Sequence, residues 1–365
     1  MPELRSEIHQ QNPQSQQNQQ NPALHQSQRF VLVTGGAGFI GSSVCRELIQ
    51  RGFTPLIVDM FAQYTNPVHH ASSETWHARF QGIMDQVVIK RANCANYAIM
   101  YDLLEQYQPA YIIHLAALPL AKMEDSSPED FKEGTVDATS TILHAVHRLK
   151  QKGKNFLKKF TYISSSMVYG NFLEDPVKET HRTEPVNVYG TMKLAGEYTT
   201  KGLCNTYKIS YIIIRPSAVY GPTDINKRVS QLFAENAMHG KKLIVKGGDD
   251  ERLDFSYVKD VAKGITLATL HPTCAGEIFN ITGGHSYSLL DFARITKKYF
   301  PETDIEVVER EQDRPKRGGL DISKAKMMLD YQPEYDLEKG IKEYIEFLLA
   351  QKSLQKGNVQ KGDVQ

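Results

Sequence analysis

Apolar and polar positions alternate along the chain as short apolar runs separated by amphipathic segments. The first run, Phe30 to Thr34, is rich in β-branched side chains and ends at a glycine cluster, which predicts a buried parallel strand. In the segment that follows, Val44, Leu48 and Ile49 recur at helical spacing, and Gly52 stands where a helix commonly ends. The chain therefore opens on a strand, a glycine turn and a helix.

The same succession continues to about residue 214. Apolar runs predict further strands at 55–58, 87–89, 111–115, 160–163 and 211–214. Helical spacing predicts helices over 97–107, 128–150 and 189–207. Strands separated by helices form parallel sheets with helices on both faces, and ligands bind at the carboxyl ends of such strands. The predicted fold is α/β, a Rossmann-type doubly wound parallel sheet.

Beyond Gly221 the elements become shorter, which predicts a second and smaller α/β lobe. Its helices are expected over 228–239, 291–299 and 337–349, and a strand over 242–245. The stretch 255–281 resembles a helix and strand that return to the main sheet. We therefore expect a main domain over 29–221 and 255–281, interleaved with a lobe over 222–254 and 282–350.

The two ends of the chain have a different composition. Residues 1–28 are dominated by Gln, Asn, Ser and Pro, and residues 351–365 contain an imperfect polar repeat. Such segments bury too little apolar surface to offset chain entropy, so both are predicted to be disordered.

Composition excludes several kinds of partner. The 365 residues carry a net charge of only +1, which gives no electrostatic case for nucleic acid or a membrane surface. No apolar run reaches membrane-spanning length, and no signal peptide is recognisable. The four cysteines lack the spacings of disulfide or zinc motifs, which predicts free thiols in a reducing compartment. We expect a cytoplasmic protein without a metal.

The glycine cluster and the next strand together predict a dinucleotide site. Gly35, Gly38 and Gly41 allow a tight turn, close approach of a pyrophosphate to backbone N–H groups, and packing of the helix on the strand. Asp59 ends the second strand about 20 residues later, where a carboxylate accepts hydrogen bonds from the ribose hydroxyls. The same charge repels a 2′-phosphate, so the predicted cofactor is NAD and not NADP.

A Tyr–Lys pair indicates redox chemistry beside that site. Tyr189 and Lys193 stand one turn apart at the start of a predicted helix and so share a face. A free phenol titrates near 10, and a neighbouring ammonium together with the positive end of the cofactor is expected to lower that pKa. A serine from 164–166, at the end of a predicted strand, can hold the substrate oxygen. These groups permit hydride transfer from a carbinol carbon to nicotinamide.

Nine motifs in order carry a family resemblance that covers about 29–349. They read TGGAGFIG, VD, HLAA, SSSMVYG, YGTMK, RPSAVYGP, LDFSYVKDV, FNITGG and LDISKAKMML. The series resembles the extended short-chain dehydrogenase/reductase superfamily, in its NAD-dependent nucleotide-sugar epimerase/dehydratase branch. The resemblance implies a nucleotide-sugar substrate. It also implies a homodimer joined by helices near 97–107 and 128–150.

The resemblance assigns roles to particular residues. Tyr189 is implied as the catalytic acid/base, Lys193 as its tuner and ribose ligand, and Ser165 as the hydroxyl that binds the reacting oxygen. Asn93 and Cys94 stand where the family contacts adenine, although the family commonly has Asp there. The remaining implied cofactor positions are Gly35, Gly38, Phe39, Ile40, Gly41, Asp59, Ala116 and Pro216.

Substrate contacts are expected from the serine-rich strand end and from arginines of the smaller lobe. Ser165 and Ser166 are the implied contacts at the strand end. Planar guanidinium groups suit the nucleotide diphosphate. The candidates in the smaller lobe are the arginines Arg228, Arg252, Arg314 and Arg317, together with Gln231. Lys122 and Arg182 are open to two interpretations, as partners of a uronate or as surface charges.

The residues after Ser165 favour one reaction over its alternatives. Family 4,6-dehydratases resemble one another in placing Asp-Glu directly after the catalytic residue, whereas this chain has Ser166 and Met167. Neither side chain shuttles protons, so the resemblance implies a UDP-sugar 4-epimerase with tightly bound NAD. The alternatives are a 4-keto-sugar reductase or other NAD(P)-dependent oxidoreductase, a 4,6-dehydratase, and a catalytically silent dinucleotide-binding protein.

Overall fold

The computed structural model describes residues 29–61, 72–119, 126–311 and 314–362, with only the backbone for 72–74 and 354–362. The tail predicted over 1–28 and the candidate Lys122 lie outside the described residues.

The first half of the described chain alternates strands and helices. The strands are β1 (Phe30–Thr34), β2 (Thr54–Asp59), β3 (Val88–Arg91), β4 (Tyr111–His114), β5 (Lys159–Ile163) and β6 (Tyr211–Arg215). The helices are α1 (Phe39–Gln50), α2 (Ser72–Phe80), α3 (Tyr97–Tyr107), α4 (Pro128–Lys132), α5 (Ala138–Gln151) and α6 (Val188–Tyr207).

A π-helical turn over Glu133–Asp137 divides the single helix predicted over 128–150 into α4 and α5. The Thr135 hydroxyl donates to the carbonyl of Phe131, and the Thr139 hydroxyl donates to that of Thr135. Threonine hydroxyls that bond to carbonyls one turn back loosen the backbone ladder. The turn therefore forms within a continuous helical path, a feature that hydrophobic spacing does not report.

The second half has shorter elements. Its strands are β7 (Val219–Tyr220), β8 (Leu243–Lys246), β9 (Arg252–Leu253), β10 (Ser256–Tyr257), β11 (Glu277–Asn280), β12 (Tyr287–Ser288) and β13 (Ile305–Val308). Its helices are α7 (Val229–Met238), α8 (Val258–Leu270), α9 (Leu289–Tyr299), α10 (Ser323–Leu329) and α11 (Leu337–Gly362).

The end of α11 differs from the predicted disordered tail over 351–365. The helix was expected to end near Leu349, yet its backbone continues to Gly362. Lys and Gln, which are frequent in this stretch, have high helix propensity, so a polar sequence extends a helix that is already anchored by its apolar first turns.

Seven parallel strands form the central sheet in the order β11-β6-β5-β4-β1-β2-β3. From β1 the chain first adds β2 and β3 on one side and then adds β4, β5 and β6 on the other side. The order of the strands therefore reverses between β1 and β4, which pair in parallel with Thr34 opposite His114. β11 joins the edge of the sheet beside β6, after the chain has already built part of the smaller lobe. Cofactors of doubly wound sheets bind at such a reversal, outside the carboxyl ends of the strands.

Helices cover both faces of this sheet, and each face buries its own apolar cluster. On one face, α8 packs against α1 through residues such as Val44 and Ile265. On the other face, α3 and α5 bury Met100 and Ile142 against the sheet. A third cluster, which includes Phe292, forms the core of the smaller lobe with its two-stranded β pairs. The predicted Rossmann-type α/β fold class is confirmed.

Candidate active site

One large cavity of about 1280 Å³ lies at the carboxyl ends of the central strands, and residues of the smaller lobe form its opposite wall. Ligand pockets commonly measure roughly 300–1,000 Å³. The cavity is therefore large enough for a dinucleotide and a second ligand side by side.

The glycine turn between β1 and α1 forms one end of the cavity, which Gly35, Gly38, Phe39, Ile40 and Gly41 line. Gly35 has a φ of +68°, and a Cβ there would lie 2.8 Å from the backbone nitrogen of Ala116. A Cβ on Gly41 would overlap the carbonyl oxygen of Gly35. Gly38 caps α1 without any side-chain hydrogen bond, so the first N–H groups of the helix stay open for an anion.

Asp59 connects the end of β2 to this turn. Its carboxylate accepts hydrogen bonds from the backbone N–H groups of Ala37, at 3.0 Å, and Phe61, at 2.8 Å. Burial raises the pKa of Asp59, while these two hydrogen bonds and the charge of Arg79 oppose the rise. A carboxylate has about four acceptor positions, so two remain for ribose hydroxyls at the cavity wall.

Asn93 and Cys94 also line the cavity, at the position implied for adenine. The Asn93 amide nitrogen donates to Glu133 at 2.7 Å, and its oxygen accepts from the N–H of Ala95 at 2.8 Å. Burial raises the pKa of the Cys94 thiol to about 12, which keeps it protonated. The Asn93 side chain thus already has two protein partners. We therefore expect the adenine ring to be held by the shape of the cavity as well as by hydrogen bonds.

The first turn of α6 brings Tyr189 to the end of β5. Asn187 caps the helix by accepting from the N–H of Gly190 at 2.9 Å. A Cβ on Gly190 would lie 2.7 Å from the carbonyl oxygen of Met167, so the missing side chain lets the two segments touch. The Ser165 hydroxyl oxygen accepts from the N–H of Met167 at 3.2 Å, and its own proton is directed to the Tyr189 phenol.

Lys193 is directed toward the strand and not toward the phenol. Its Nζ donates to the carbonyl of Ile163 at 2.8 Å and lies 6.0 Å from the centre of the Tyr189 ring. Burial lowers the pKa of Lys193 to about 8, and the charge of Glu197 opposes that fall.

The pKa of Tyr189 differs from the sequence-based expectation. Burial raises it, and the groups that oppose the rise are Arg228 and the Ser165 hydroxyl. Lys193 was expected to lower this pKa, but its ammonium is held at the Ile163 carbonyl. The protein surroundings alone therefore favour the protonated phenol.

A buried ion pair supports this wall of the cavity from behind, and sequence reasoning missed it. Glu197 accepts from Arg215 at 2.7 and 2.8 Å and from the Ser164 hydroxyl at 2.6 Å. Both charged side chains are almost fully buried. The available signal was spacing, because Glu197 stands one turn after Lys193 on the same helix face.

Ala116, Pro216 and Ser166 complete the floor of the cavity. The Ser166 hydroxyl donates to Ser217 at 3.1 Å, and its N–H donates to the carbonyl of Pro216 at 2.9 Å. The Ser166 side chain is buried and already has a partner in the protein.

Three of the predicted arginines line the cavity, namely Arg228, Arg314 and Arg317. Arg228 donates to the carbonyl of Val219 at 2.8 Å, and Arg314 pairs with Glu311.

Gln231 and Arg252 are not brought to the cavity. Gln231 accepts from the N–H of Lys227 at 2.8 Å and donates to Glu235 at 2.7 Å. Arg252 donates to the carbonyl of Ser286 at 2.6 Å. The polar groups of both side chains form these hydrogen bonds within the smaller lobe. Arg182 forms an exposed ion pair with Glu184, as a surface charge would.

Arg79 on α2 is a further residue that sequence reasoning missed. It is 2% exposed and donates to the carbonyl of Ala37 in the glycine turn, at 2.9 Å. It also donates to the carbonyl of Thr223 at 2.7 Å, at the start of the smaller lobe. One buried guanidinium thus joins the two parts of the chain that enclose the cavity.

Neither a membrane-spanning helix nor a metal-binding cluster is found among the residues that the structure describes. No helix among them is long and apolar enough to cross a membrane. No cluster of three or more His, Cys, Asp or Glu residues among them has the arrangement of a metal site.

Comparisons with known proteins agree with this geometry. The model of the NAD dependent epimerase/dehydratase family matches residues 31–282. A dTDP-glucose 4,6-dehydratase of Salmonella typhimurium is 27% identical over 344 residues, which cover 88% of this chain and 92% of the relative. An uncharacterised UDP-glucose epimerase of Bacillus subtilis is 27% identical over 328 residues, which cover 87% of this chain and 97% of the relative.

Among solved structures, the UDP-glucuronic acid 4-epimerase of Bacillus cereus, crystallised with UDP-glucuronic acid and NAD, superimposes with a TM-score of 0.77. It is 26% identical and covers 88% of this chain and 99% of its own. The glycine turn, the open start of α1 and the Asp59 carboxylate fit NAD, which confirms the predicted cofactor. The family match covers most of the described chain, and the protein belongs to the NAD-dependent epimerase/dehydratase family.

Proposed function

We propose that the protein is a nucleotide-sugar 4-epimerase that acts on a UDP-sugar. The observation that carries the proposal is the pair of residues directly after Ser165. Ser166 is buried against Ser217, and Met167 has a thioether, so neither offers a carboxyl group for a second proton transfer. Oxidation of one carbon and return of the hydride need only the Ser165, Tyr189 and Lys193 set.

In the proposed reaction, NAD supplies a hydride acceptor that later returns the hydride. The Ser165 hydroxyl, which is directed to the Tyr189 phenol before the substrate binds, donates to the reacting hydroxyl oxygen and fixes its direction. Tyr189, held at the start of α6 by the Asn187 cap, removes the hydroxyl proton and later gives it back. Lys193 contributes positive charge at the end of β5. Inversion follows if the 4-keto sugar turns over within the cavity, whose volume of about 1280 Å³ leaves room for that motion.

Two other reactions on the same substrate class compete with this proposal. Dehydratases are as similar to this chain as epimerases are, so similarity does not separate the two. A 4,6-dehydratase needs an additional acid/base pair to eliminate water, and the Ser166–Met167 pair argues against it. A 4-keto-sugar reductase would consume NAD(P)H stoichiometrically, whereas an epimerase needs no added reductant.

Proton NMR tests the proposal directly. The purified full-length chain is incubated with NAD and a panel of UDP-, dTDP-, GDP- and CDP-sugars without reductant. We expect a UDP-sugar to equilibrate with its C4 epimer while NAD is unchanged. A deoxy or keto product would establish elimination instead. If the panel is inert, a 4-keto sugar and NADH are added, and turnover in that second step would establish a reductase.

We also propose a homodimer formed by α3 and α5 together with the same helices of a second copy. Tyr97 and Ile99 on α3 are each 40% exposed, and burial against a second copy would remove this apolar surface from water. Light scattering would measure the mass of the protein in solution and so its oligomeric state.

A location in the cytoplasm stays a prediction. The four cysteines, all free and buried, are compatible with it.

A further inference from the structure

Arg317 differs from Arg228 and Arg314 because, within the part of the chain that the structure describes, it forms no ion pair with a carboxylate. Its Nη1 donates to the Met167 thioether at 3.4 Å, which is a weak acceptor. Its Nε is buried and has no hydrogen-bond partner. Among the residues whose side chains the structure describes, no carboxylate lies within the 4.0 Å of an ion pair from it.

The neighbouring charges are already paired with one another. Arg310 donates to Glu251 at 2.7 Å, and Arg314 pairs with Glu311. Burial lowers the pKa of Arg317 to about 10, so the group is cationic at neutral pH. Arg317 is half-buried with its Nε shielded from solvent, and a partly desolvated cation without a counterion is costly. An anionic ligand group at this point would remove that cost.

The backbone around Arg317 is fixed next to the catalytic strand end. The N–H of Phe172 donates to the carbonyl of Lys316 at 2.8 Å, and the N–H of Val177 donates to that of Gly319 at 3.0 Å. These bonds tie the segment 314–320 to the loop that follows Met167. The backbone is therefore anchored on both sides of Arg317, whose guanidinium contacts Met167, whereas Arg314 lies at the exposed rim.

We propose that Arg317 binds a carboxylate carried by the sugar ring, so that the enzyme prefers uronate sugars to neutral hexoses. This inference rests on the proposed function, which places the reacting hydroxyl at Ser165. The N–H of Met167 donates to the Ser165 hydroxyl at 3.2 Å and its thioether contacts Arg317, so the group beside Arg317 is assigned to the sugar that reacts at Ser165. The planar fork of a guanidinium matches a carboxylate in a bidentate geometry. A uronate also has no C6 hydroxyl to eliminate, in keeping with the lack of a carboxyl group after Ser165.

Isothermal titration of the NAD-saturated full-length chain with UDP-glucuronate, UDP-glucose and UDP tests the inference. We expect UDP-glucuronate to bind at least about tenfold more tightly than UDP-glucose, as a charge-assisted pair allows. Arg317→Gln should remove this preference and leave the affinities for UDP-glucose and UDP within about twofold. Arg317→Lys should retain part of it, because the charge remains without the fork.

Lys316→Gln is the matched control, since it removes one positive charge from the same segment at an exposed position that does not line the cavity. It should leave all three affinities unchanged. An equal loss of UDP affinity in Arg317→Gln would assign Arg317 to the diphosphate and overturn the inference. Equal wild-type affinity for both sugars would also overturn it, while C4 epimerisation of UDP-glucose would leave the proposed function standing. If none of the three ligands binds, the proposed UDP-sugar function itself is wrong.

Discussion

At the scale of single residues, the cavity combines a phenol that keeps its proton with an ammonium whose pKa is lowered to about 8. Burial raises the pKa of Tyr189 and lowers that of Lys193 to about 8. Both shifts have the same cause, since a buried site disfavours whichever form carries charge. The positive end of bound NAD is the added charge that would favour the phenolate. The site is thus expected to become reactive only when the cofactor is in place.

Replacement of Tyr189 by Phe tests its role as the acid/base. We expect turnover of the active UDP-sugar to fall by about 10²–10⁴-fold, the usual contribution of a positioned proton-transfer group. Titration with NAD should give an unchanged affinity, because the ring remains. Tyr198→Phe is the matched control, on the same helix but 62% exposed, and should be fully active. Retention of more than about a tenth of the activity would argue against the assigned role.

Lys193 should also affect stability in a pH-dependent way. Its pKa is near 8 in the folded protein and near 10.4 in an unfolded chain, so the unfolded chain binds more protons between these values. The free energy of unfolding should therefore rise with pH across that window, by about 2 kcal/mol between pH 6.5 and 9.5 from this residue.

Urea unfolding of the NAD-free wild type and of Lys193→Met at the two pH values measures this contribution. We expect the variant to be stabilised relative to wild type at pH 6.5 and to lose most of that advantage at pH 9.5. A difference between the two proteins that does not change with pH would show that Lys193 keeps an ordinary pKa.

At the scale of elements, the start of α1 depends on close backbone contact. A Cβ on Gly41 would overlap the carbonyl oxygen of Gly35, which is backbone and cannot rotate away. A Cβ on Gly202 in α6 would meet no atom within 4 Å other than those of its own stretch of helix. The two glycines are both helical, yet only one of them is required by its surroundings.

Substitution of Gly41 and of Gly202 by alanine tests whether only Gly41 is required. Gly41→Ala should displace the glycine turn and weaken NAD binding by at least about tenfold, measured by fluorescence or calorimetric titration. Gly202→Ala should leave NAD binding unchanged and raise the free energy of unfolding by about 0.5–1 kcal/mol, because alanine restricts the unfolded chain and favours helix. Unchanged NAD affinity in Gly41→Ala would contradict the required close contact.

At the scale of the whole molecule, one buried carboxylate connects segments far apart in sequence. Asp254, between β9 and β10, accepts from the Thr282 hydroxyl at 2.8 Å and from the N–H groups of Gly284, at 3.2 Å, and Leu320, at 3.1 Å. Asp254 is fully buried. It therefore fixes the returning strand β11 and the segment of Arg317 relative to the smaller lobe.

Asp254→Asn should be strongly destabilising although it conserves shape. The amide NH2 group would face backbone N–H donors and leave at least one of them without an acceptor. We expect a loss of about 2–4 kcal/mol in the free energy of unfolding, measured with urea. Asp250→Asn, at an exposed position, should stay within about 0.5 kcal/mol of wild type. A loss in Asp254→Asn no larger than the control's would show that the carboxylate is dispensable.

The periodicity of the chain predicted the existence and type of the main elements because apolar spacing records directly which face of each segment is buried. It predicted α3 at 97–107 with the bounds that the structure has. It did not predict the π-helical turn at Glu133–Asp137 or the extension of α11 to Gly362. Those two depend on side-chain hydrogen bonds and on helix propensity in polar sequence, which leave no apolar period.

By itself the sequence determined the fold class, the NAD cofactor and the family, because these are carried by local motifs whose spacing has a fixed structural meaning. Only the tertiary structure decided which arginines reach the cavity. Arg252 and Arg317 look alike in sequence, yet one bonds within the smaller lobe and the other lies against Met167. Long-range contacts such as the one between Arg79 and Thr223 were likewise invisible, because they join residues whose proximity exists only after the chain has folded.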